Sequence, residues 1–333
     1  WLGRALVERL LADGRPHLRL LAATTAEAAT MTSATASSSG DTRVEVIIGD
    51  IARSETAARL LYGVPDDTTV IHAAGVIHPK RVRDFFEINT NGTRHMVEAA
   101  RDRDVRRFVH VSSNSPFGTN AHALDVFRAD EPFNPYYGYG RSKMAAELAV
   151  TEMAGNGLNA VIVRPPWFYG PHQPPRQTAF FTMVRKGKFP IIGDGSQRRS
   201  MVYVGNLVDG ILAAEAASTP PGRGYWIADA RPYPLREIVD TVGRALADEG
   251  YDVKPVKGTM AAVVGRVAET ADRWIQRTGM YQQQLHVLGE MDKTIACDIS
   301  ASVTDLGYEP KVELRTGIAR SLETQPSIMG VSA

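Results

Sequence analysis

The sequence has very little cysteine, no long apolar run and almost no net charge. Cys297 is the single cysteine among 333 residues, which excludes an intrachain disulfide and a cysteine-rich zinc site. No stretch is long and apolar enough to span a bilayer, and no secretory signal peptide is recognisable. Lys and Arg number 38 against 37 Asp and Glu, so bulk charge attracts neither nucleic acid nor an acidic membrane surface. We expect a cytoplasmic protein without a metal site, a nucleic-acid partner or a membrane span.

Short apolar runs alternate with segments of helical spacing through the first half of the chain. The content of 44% hydrophobic and 23% charged residues is typical of a globular protein. Regular alternation of strand and helix predicts an α/β fold, a doubly wound parallel sheet with helices on both faces. We predict strands over Leu18–Ala23, Val44–Ile48, Thr69–His72, Arg107–Val111 and Ala160–Val163, and helices from the start of the chain to Gly14 and over Glu55–Leu61, Thr93–Arg101 and Ser142–Ala154.

Two regions depart from that regular pattern. Ala26–Gly40 is rich in Ala, Ser and Thr, and this composition predicts a flexible surface insertion. After Pro165, proline and glycine cluster and the alternation weakens, which predicts a smaller second lobe with many loops. Within that lobe, the apolar spacing predicts amphipathic helices over Leu235–Asp248 and Met260–Gln276.

Tyr139 and Lys143 stand four residues apart in a predicted helix, so their side chains share one face of it. A lysine ammonium close to a phenol favours the phenolate, which can exchange a proton with a substrate hydroxyl. The pair therefore predicts an acid/base couple. Taken alone, the same spacing also fits an ordinary surface tyrosine and lysine.

Hydroxyl side chains follow the predicted strand Arg107–Val111, at Ser112, Ser113 and Ser115. The carboxyl ends of parallel strands face the ligand crevice of a doubly wound sheet, and a serine there can orient a reacting oxygen. Serine at such a place can equally cap a helix or form a turn.

Small residues follow another predicted strand, at Ala73-Ala74-Gly75, where a cofactor could approach the backbone closely. A tight turn explains them equally well. Asp50 could accept a hydrogen bond from an adenine amino group, or cap the helix after it. Pro165 and Pro166 stiffen a loop that could form a wall against a flat ring, and a plain crossover loop is the alternative.

Taken in order, these segments resemble the extended short-chain dehydrogenase/reductase family, also called the NAD-dependent epimerase/dehydratase family. The resemblance covers nearly the whole chain, with features similar to 3β-hydroxysteroid dehydrogenases in the C-terminal half. It implies a dinucleotide-binding Rossmann domain over residues 1–170. Residues 171–333 would form a smaller α/β lobe that mainly binds substrate, with residues 200–230 returning to the Rossmann core.

The resemblance also implies a role for each motif. Tyr139 would be the catalytic acid/base, and Lys143 would favour its phenolate and hold the nicotinamide ribose. Ser113 is the best match to the active-site hydroxyl, with Ser112 and Ser115 as alternatives and Ser115 placed near the substrate. Asn89 matches the family's structural asparagine and is counted with the catalytic set. The cofactor-binding positions would be Asp50 and Ile51 at the adenine, Ala73, Ala74 and Gly75 along the cofactor, and Pro165 and Pro166 near the nicotinamide.

The family's glycine motif is only partly present. Trp1-Leu2-Gly3 matches its end, so Gly3 would lie at the cofactor pyrophosphate, while the first strand and two earlier glycines are absent. We therefore expect natural residues before Trp1. Ala22-Ala23-Thr24-Thr25 holds neither the acidic residue typical of NAD-preferring members nor the arginine typical of NADP-preferring ones. We expect NAD as the cofactor and leave NADP open.

Two substrate classes compete on the C-terminal half. Gly193–Val204 is similar to the segment that nucleotide-sugar epimerases use near the substrate phosphates, where Arg199 and Tyr203 would contact substrate. A surface ion pair is the alternative for Arg199. Tyr203–Asp209 and the predicted helix Met260–Gln276 are similar to 3β-hydroxysteroid dehydrogenases, which act on a lipid alcohol. The family's dehydratases usually have Thr-Asp-Glu where this chain has Ser-Asn-Ser from residue 113, which disfavours dehydration.

We therefore expect an enzyme with a Ser-Tyr-Lys active site, an oxidoreductase or isomerase that acts on a nucleotide sugar in the manner of sugar 4-epimerases. The first alternative is oxidation of a sterol or other lipid alcohol, and the second is a non-catalytic NAD(P)-binding sensor. The expected partner is a small-molecule substrate, and a homodimer is left open.

Overall fold

A computed structural model describes residues 1–36, 42–256 and 259–324, and their first half alternates helix and strand. In chain order this half contains α1 (Leu2–Ala12), β1 (His17–Ala22), α2 (Thr25–Ala36), β2 (Arg43–Ile48), α3 (Ser54–Leu60), β3 (Thr69–His72), α4 (Val82–Phe85), α5 (Gly92–Asp102), β4 (Arg107–Val111), α6 (Tyr137–Gly155) and β5 (Ala160–Arg164).

The second half of the described chain carries short strands between helices. These are β6 (Trp167–Tyr169), α7 (Pro175–Arg185), β7 (Arg198–Arg199), β8 (Met201–Tyr203), α8 (Val204–Ala216), β9 (Gly224–Trp226), β10 (Tyr233–Pro234), α9 (Leu235–Asp248), α10 (Ala262–Arg277), α11 (Gln283–Glu290), α12 (Ser300–Leu306) and α13 (Leu314–Glu323). β6 and β8 form a parallel pair, and β7 and β10 form an antiparallel pair. No helix of the described residues combines the length and the apolar character that crossing a membrane requires.

A parallel sheet lies at the centre of the first half. β3, β4, β5 and β9 pair in that order, and β1 and β2 form a separate parallel pair. Val109 and Val111 of β4 pack into one buried cluster, whereas Phe108 packs into another on the opposite face. Because both faces are buried under helices, the sheet is doubly wound, which confirms the predicted fold. The pairing of β9 with β5 brings the region near residue 225 to this sheet, and the division into two domains stays a prediction.

The expected flexible insertion at Ala26–Gly40 is wrong over most of its length. Thr25–Ala36 forms α2, while residues 37–40 lie outside the described residues. Alanine has the highest helix propensity. The hydroxyls of Thr30 and Thr32 donate to carbonyls one turn earlier, at 3.0 and 2.9 Å, so the helix satisfies these polar groups.

A π-helical turn over Phe86–Asn91 joins α4 to α5 without a break. The sequence predicted a helix start at Thr93 and therefore missed these preceding turns. π-Helical turns are rare and frequent at functional sites. Here the turn carries Asn89, which is buried.

Candidate functional site

The carboxyl ends of three neighbouring strands carry the predicted site residues. β3 leads into Ala73-Ala74-Gly75, whose last two residues are exposed. β4 leads into the serine loop, defined as residues 112–115, and β5 leads into the buried residues Pro165 and Pro166. Because parallel strands end at the same edge of a sheet, the fold places these segments side by side.

Lys143 lies in the second turn of α6 and is only 4% exposed. Its ammonium donates a 2.8 Å hydrogen bond to the backbone carbonyl of Val111, the last residue of β4. Burial lowers the pKa of this ammonium from 10.5 to about 8, and the nearby carboxylate of Glu147 opposes the decrease. Lys143 therefore keeps its charge at neutral pH and holds it at the end of a central strand.

The first turn of α6, which carries Tyr139, packs against the serine loop. The backbone N–H of Tyr136 donates to the carbonyl oxygen of Ser115 at 3.3 Å. A Cβ atom on Gly140 would lie 2.5 Å from that same oxygen, so this approach requires a glycine. Tyr139 is half-buried, and its ring lies 5.7 Å from that of Phe85. The structure thus brings the backbone beside Tyr139 to the predicted active-site serines.

Ser113 is fixed within the serine loop by two contacts. Its hydroxyl oxygen lies 3.3 Å from that of Ser115 and accepts the Ser115 backbone N–H at 3.3 Å. The hydroxyl of Ser112 is buried and has no hydrogen-bond partner among the described residues. Ser113 is 8% exposed at the strand end, a placement that suits an orienting hydroxyl.

Asn89 connects the loop after β3 to α6. Its Nδ2 donates to the carbonyl of Val76 at 3.0 Å and to the hydroxyl of Ser142 at 3.1 Å. Its Oδ1 accepts the Val76 N–H at 2.8 Å, and a Cβ atom on Gly75 would lie 3.1 Å from that oxygen. Asn89 therefore ties the predicted cofactor loop to the helix of Lys143, and its inclusion in the catalytic set stays a prediction.

Two buried histidines lie opposite each other on β3 and β4. The rings of His72 and His110 are 5.5 Å apart, and His72 Nε2 lies 3.0 Å from the hydroxyl of Thr93. Burial, together with the charge of Lys143, lowers the pKa of His72 to about 3 and also lowers that of His110. Both imidazoles are therefore neutral at physiological pH. Within residues 1–36, 42–256 and 259–324, no group of three or more His, Cys, Asp or Glu side chains could hold a metal ion.

A buried ion pair, which the sequence pattern did not predict, lies beside Lys143. Glu147 is fully buried, and its carboxylate accepts a 2.8 Å hydrogen bond from the guanidinium of Arg164, at the end of β5. The guanidinium lies 4.4 Å from the centre of the Phe117 ring. The spacing of Glu147 from Lys143 was visible in the sequence, but nothing local indicated its partner on another strand.

The predicted adenine and pyrophosphate positions lie at the ends of β2 and α1. Asp50 is exposed, and its carboxylate accepts the backbone N–H of Ala52 at 3.0 Å. Ile51 is buried, and a Cβ atom on Gly92 would approach it to 3.0 Å. Gly3 lies in the first turn of α1, where an added Cβ atom would meet nothing within 4 Å. Space at the start of α1, small residues after β3 and the Lys143 ammonium held at the end of β4 fit a dinucleotide.

The predicted substrate residues Arg199 and Tyr203 have partners within the chain. The guanidinium of Arg199 donates to the carbonyl of Glu290, and burial lowers its pKa. Tyr203 is buried, with its ring 5.9 Å from that of Tyr169. These contacts give both side chains a packing role, and their contact with substrate stays a prediction.

Comparison with known proteins identifies the family. Residues 1–228 match the family model described as "NAD dependent epimerase/dehydratase family". The chain belongs to this family. Membership confirms the resemblance and makes NAD the cofactor, as the sequence predicted.

Relatives extend the match beyond the family model. An uncharacterized protein, y4nL, of Sinorhizobium fredii is 46% identical over 283 residues, which cover 84% of this chain and 79% of that protein. A 3 beta-hydroxysteroid dehydrogenase/Delta 5-->4-isomerase of Mycobacterium tuberculosis is 28% identical and covers 80% of this chain and 75% of its own. The crystal structure of UDP-glucuronic acid 4-epimerase from Bacillus cereus in complex with NAD has a TM-score of 0.73 at 21% identity, over 98% of this chain and 96% of that one. This last likeness shows the fold.

Proposed function

We propose that the protein is an NAD-dependent oxidoreductase or epimerase that acts on a hydroxyl or keto carbon of a nucleotide sugar through Ser113, Tyr139 and Lys143. The observation that carries the proposal is the buried Lys143 ammonium, 2.8 Å from the carbonyl of Val111, one helical turn after Tyr139. Burying a charge costs free energy even when the charge is hydrogen-bonded, and ionisable groups with strongly shifted pKa values are concentrated at functional sites.

Each residue has a separate task in the proposed reaction. The phenolate of Tyr139 removes the proton from the substrate hydroxyl, and Lys143 favours that phenolate by its charge. The hydroxyl of Ser113 donates a hydrogen bond to the reacting oxygen and orients it. Bound NAD would supply the acceptor for the hydride that leaves the carbon bearing this oxygen. For epimerisation, the keto carbon would take the hydride back on its other face, and Tyr139 would return its proton to the oxygen.

The cofactor would lie along the carboxyl edge of the sheet. Gly3 would let the start of α1 approach a pyrophosphate, and Ala73-Ala74-Gly75 would lie beside the cofactor backbone. Asp50 would hold the adenine end. Pro165 and Pro166, buried after β5, would form the wall at the nicotinamide end. Lys143, besides its effect on Tyr139, would bind the nicotinamide ribose.

The substrate class rests on the shared fold of the Bacillus cereus epimerase and on the segment around Arg199. A second candidate is oxidation of a sterol or other lipid alcohol, which the Mycobacterium tuberculosis relative favours by its similarity over most of both chains. Product analysis after incubation with NAD separates the two, with UDP-sugars and dTDP-sugars in one set and 3β-hydroxysterols in the other.

The test of the active site is the turnover of Tyr139→Phe with the substrate found by that screen. We expect activity to fall by about 10²-fold or more, because the proton acceptor is lost. Tyr62→Phe is the matched control, since Tyr62 is 72% exposed and lies outside the site. Near-normal turnover of Tyr139→Phe would refute the assignment, and NAD binding without turnover of any substrate by the wild-type protein would favour the sensor.

A further inference from the structure

The helix that carries Tyr139 begins with a strained residue. Tyr137, the first residue of α6, has a φ of +53°, in the left-handed region that favours glycine. A bulky side chain adopts this conformation only where its surroundings hold it, and such strain is concentrated at functional sites. Tyr137 precedes Tyr139 by only two residues, so whatever holds Tyr137 also sets the position of Tyr139.

Helix α10 holds this strained residue by its side chain. The guanidinium of Arg273 donates to the Tyr137 hydroxyl at 3.1 Å, and that hydroxyl donates to the backbone carbonyl of Glu269 at 3.3 Å. The ring of Tyr136 lies 4.2 Å from that of Tyr137 and completes the contact. A segment more than a hundred residues away in sequence therefore anchors the start of α6.

Gln276 of α10 also binds the backbone of this first turn. Its Oε1 accepts the N–H of Gly138 at 3.0 Å, and its Nε2 donates to Oδ2 of Asp272 at 2.9 Å. The first N–H groups of a helix have no partner within the helix, and no side chain of the residue before α6 caps it. Gln276 therefore supplies from another helix the acceptor that the start of α6 lacks.

A buried pair fixes the orientation of the Gln276 amide. Asp272 is fully buried, and its Oδ2 also lies 2.9 Å from Nδ1 of His286 on α11. Because Oδ2 of Asp272 accepts its hydrogen bond from Nε2, the NH₂ group of Gln276 faces the carboxylate. The amide oxygen is then directed at Gly138, and the chain of contacts runs from α11 through α10 to the turn before Tyr139.

We propose that Gln276 is a positioning residue for Tyr139, held by Asp272 and His286, and that α10 and α11 thereby set the alignment of the phenol with Lys143. The proposal rests on the proposed function. In the proposed site the phenol lies beside the ammonium that favours its ionised form, so freeing the strained first turn of α6 by loss of the Gln276 bridge would separate the two groups.

The test follows the ionisation of the Tyr139 phenol directly, so it requires no substrate. Near-ultraviolet absorbance of tyrosinate is titrated with pH, and subtraction of the same protein carrying Tyr139→Phe isolates the Tyr139 contribution. In Gln276→Met, which keeps the side-chain length and removes both hydrogen bonds, we expect the ionisation midpoint to rise by about one pH unit. Gln284→Met is the matched control, because Gln284 is exposed on α11.

The possible outcomes separate this inference from the proposed function. An unchanged midpoint in folded Gln276→Met overturns the positioning role. If Gln276→Met does not fold, Gln276→Asn is measured instead, because its shorter amide cannot reach both Gly138 and Asp272. A raised ionisation midpoint in Gln276→Asn supports the inference, and an unchanged midpoint overturns it. Normal turnover of Tyr139→Phe instead overturns the proposed function.

Discussion

Lys143→Met should make the protein more stable at neutral pH while it removes activity. Lys143 is 4% exposed, and burial lowers its pKa from 10.5 to about 8. Protonating this site costs more in the folded protein than in the unfolded chain, by roughly 3 kcal/mol at pH 7, at about 1.4 kcal/mol per pKa unit. Methionine removes that cost and loses one hydrogen bond, worth about 1 kcal/mol. We expect the free energy of unfolding to rise by about 2 kcal/mol.

The pH dependence gives the sharper form of this prediction. Because the folded-state pKa of Lys143 is depressed, its neutral form favours folding, and the wild-type protein gains stability as pH rises from about 8 to 10.5. The advantage of Lys143→Met should therefore disappear over that interval. Urea unfolding at a series of pH values measures it, and the exposed Lys188→Met should change stability by less than about 0.5 kcal/mol throughout. A stability difference between Lys143→Met and wild type that does not change with pH would refute the reasoning.

Three further predictions concern the surroundings of the site. Glu147→Gln leaves the Arg164 charge buried without its charged partner, so the free energy of unfolding measured in urea should fall by about 3–5 kcal/mol. An unchanged urea midpoint would contradict the importance of this ion pair for stability. Gly317→Ala should lower the free energy of unfolding by about 1–3 kcal/mol in the same assay, because the new Cβ would lie 2.7 Å from a buried tyrosine ring. Gly155→Ala is the control and should not lower it, because the space around Gly155 is open. Burial raises the pKa of the Cys297 thiol to about 12, so a thiol reagent should modify it only after unfolding; rapid reaction of the folded protein would show that the thiol is accessible.

The sequence predicted the strands of the main sheet well because each is a short apolar run between turn residues. Thr69–His72 and Arg107–Val111 have the predicted bounds, and β5 is one residue longer than expected. The helix over Thr25–Ala36 was missed because a run of Ala, Ser and Thr is compatible by composition with either a loop or a helix. The π-helical turn leaves no local signal, since its stability depends on the contacts that Asn89 makes with distant residues.

The candidate site was predictable only in its local parts. The spacing of Tyr139 and Lys143 and the serines after β4 predicted an acid/base site only together with the family resemblance, and the roles of these residues stay predictions. The anchors of these residues lie far away in the chain: Glu147 pairs with Arg164 on another element, and the first turn of α6 is bound by Gln276. Pairings of this kind depend on how the elements pack, which residue spacing does not encode.

A crystal structure of the protein with NAD is the most direct test of the account. We predict that the phenol oxygen of Tyr139 faces the nicotinamide, that Ser113 lies within hydrogen-bond reach of the same space, and that Lys143 binds the ribose hydroxyls. A phenol that points away from the nicotinamide, with Ser113 remote from it, would contradict the proposed active site.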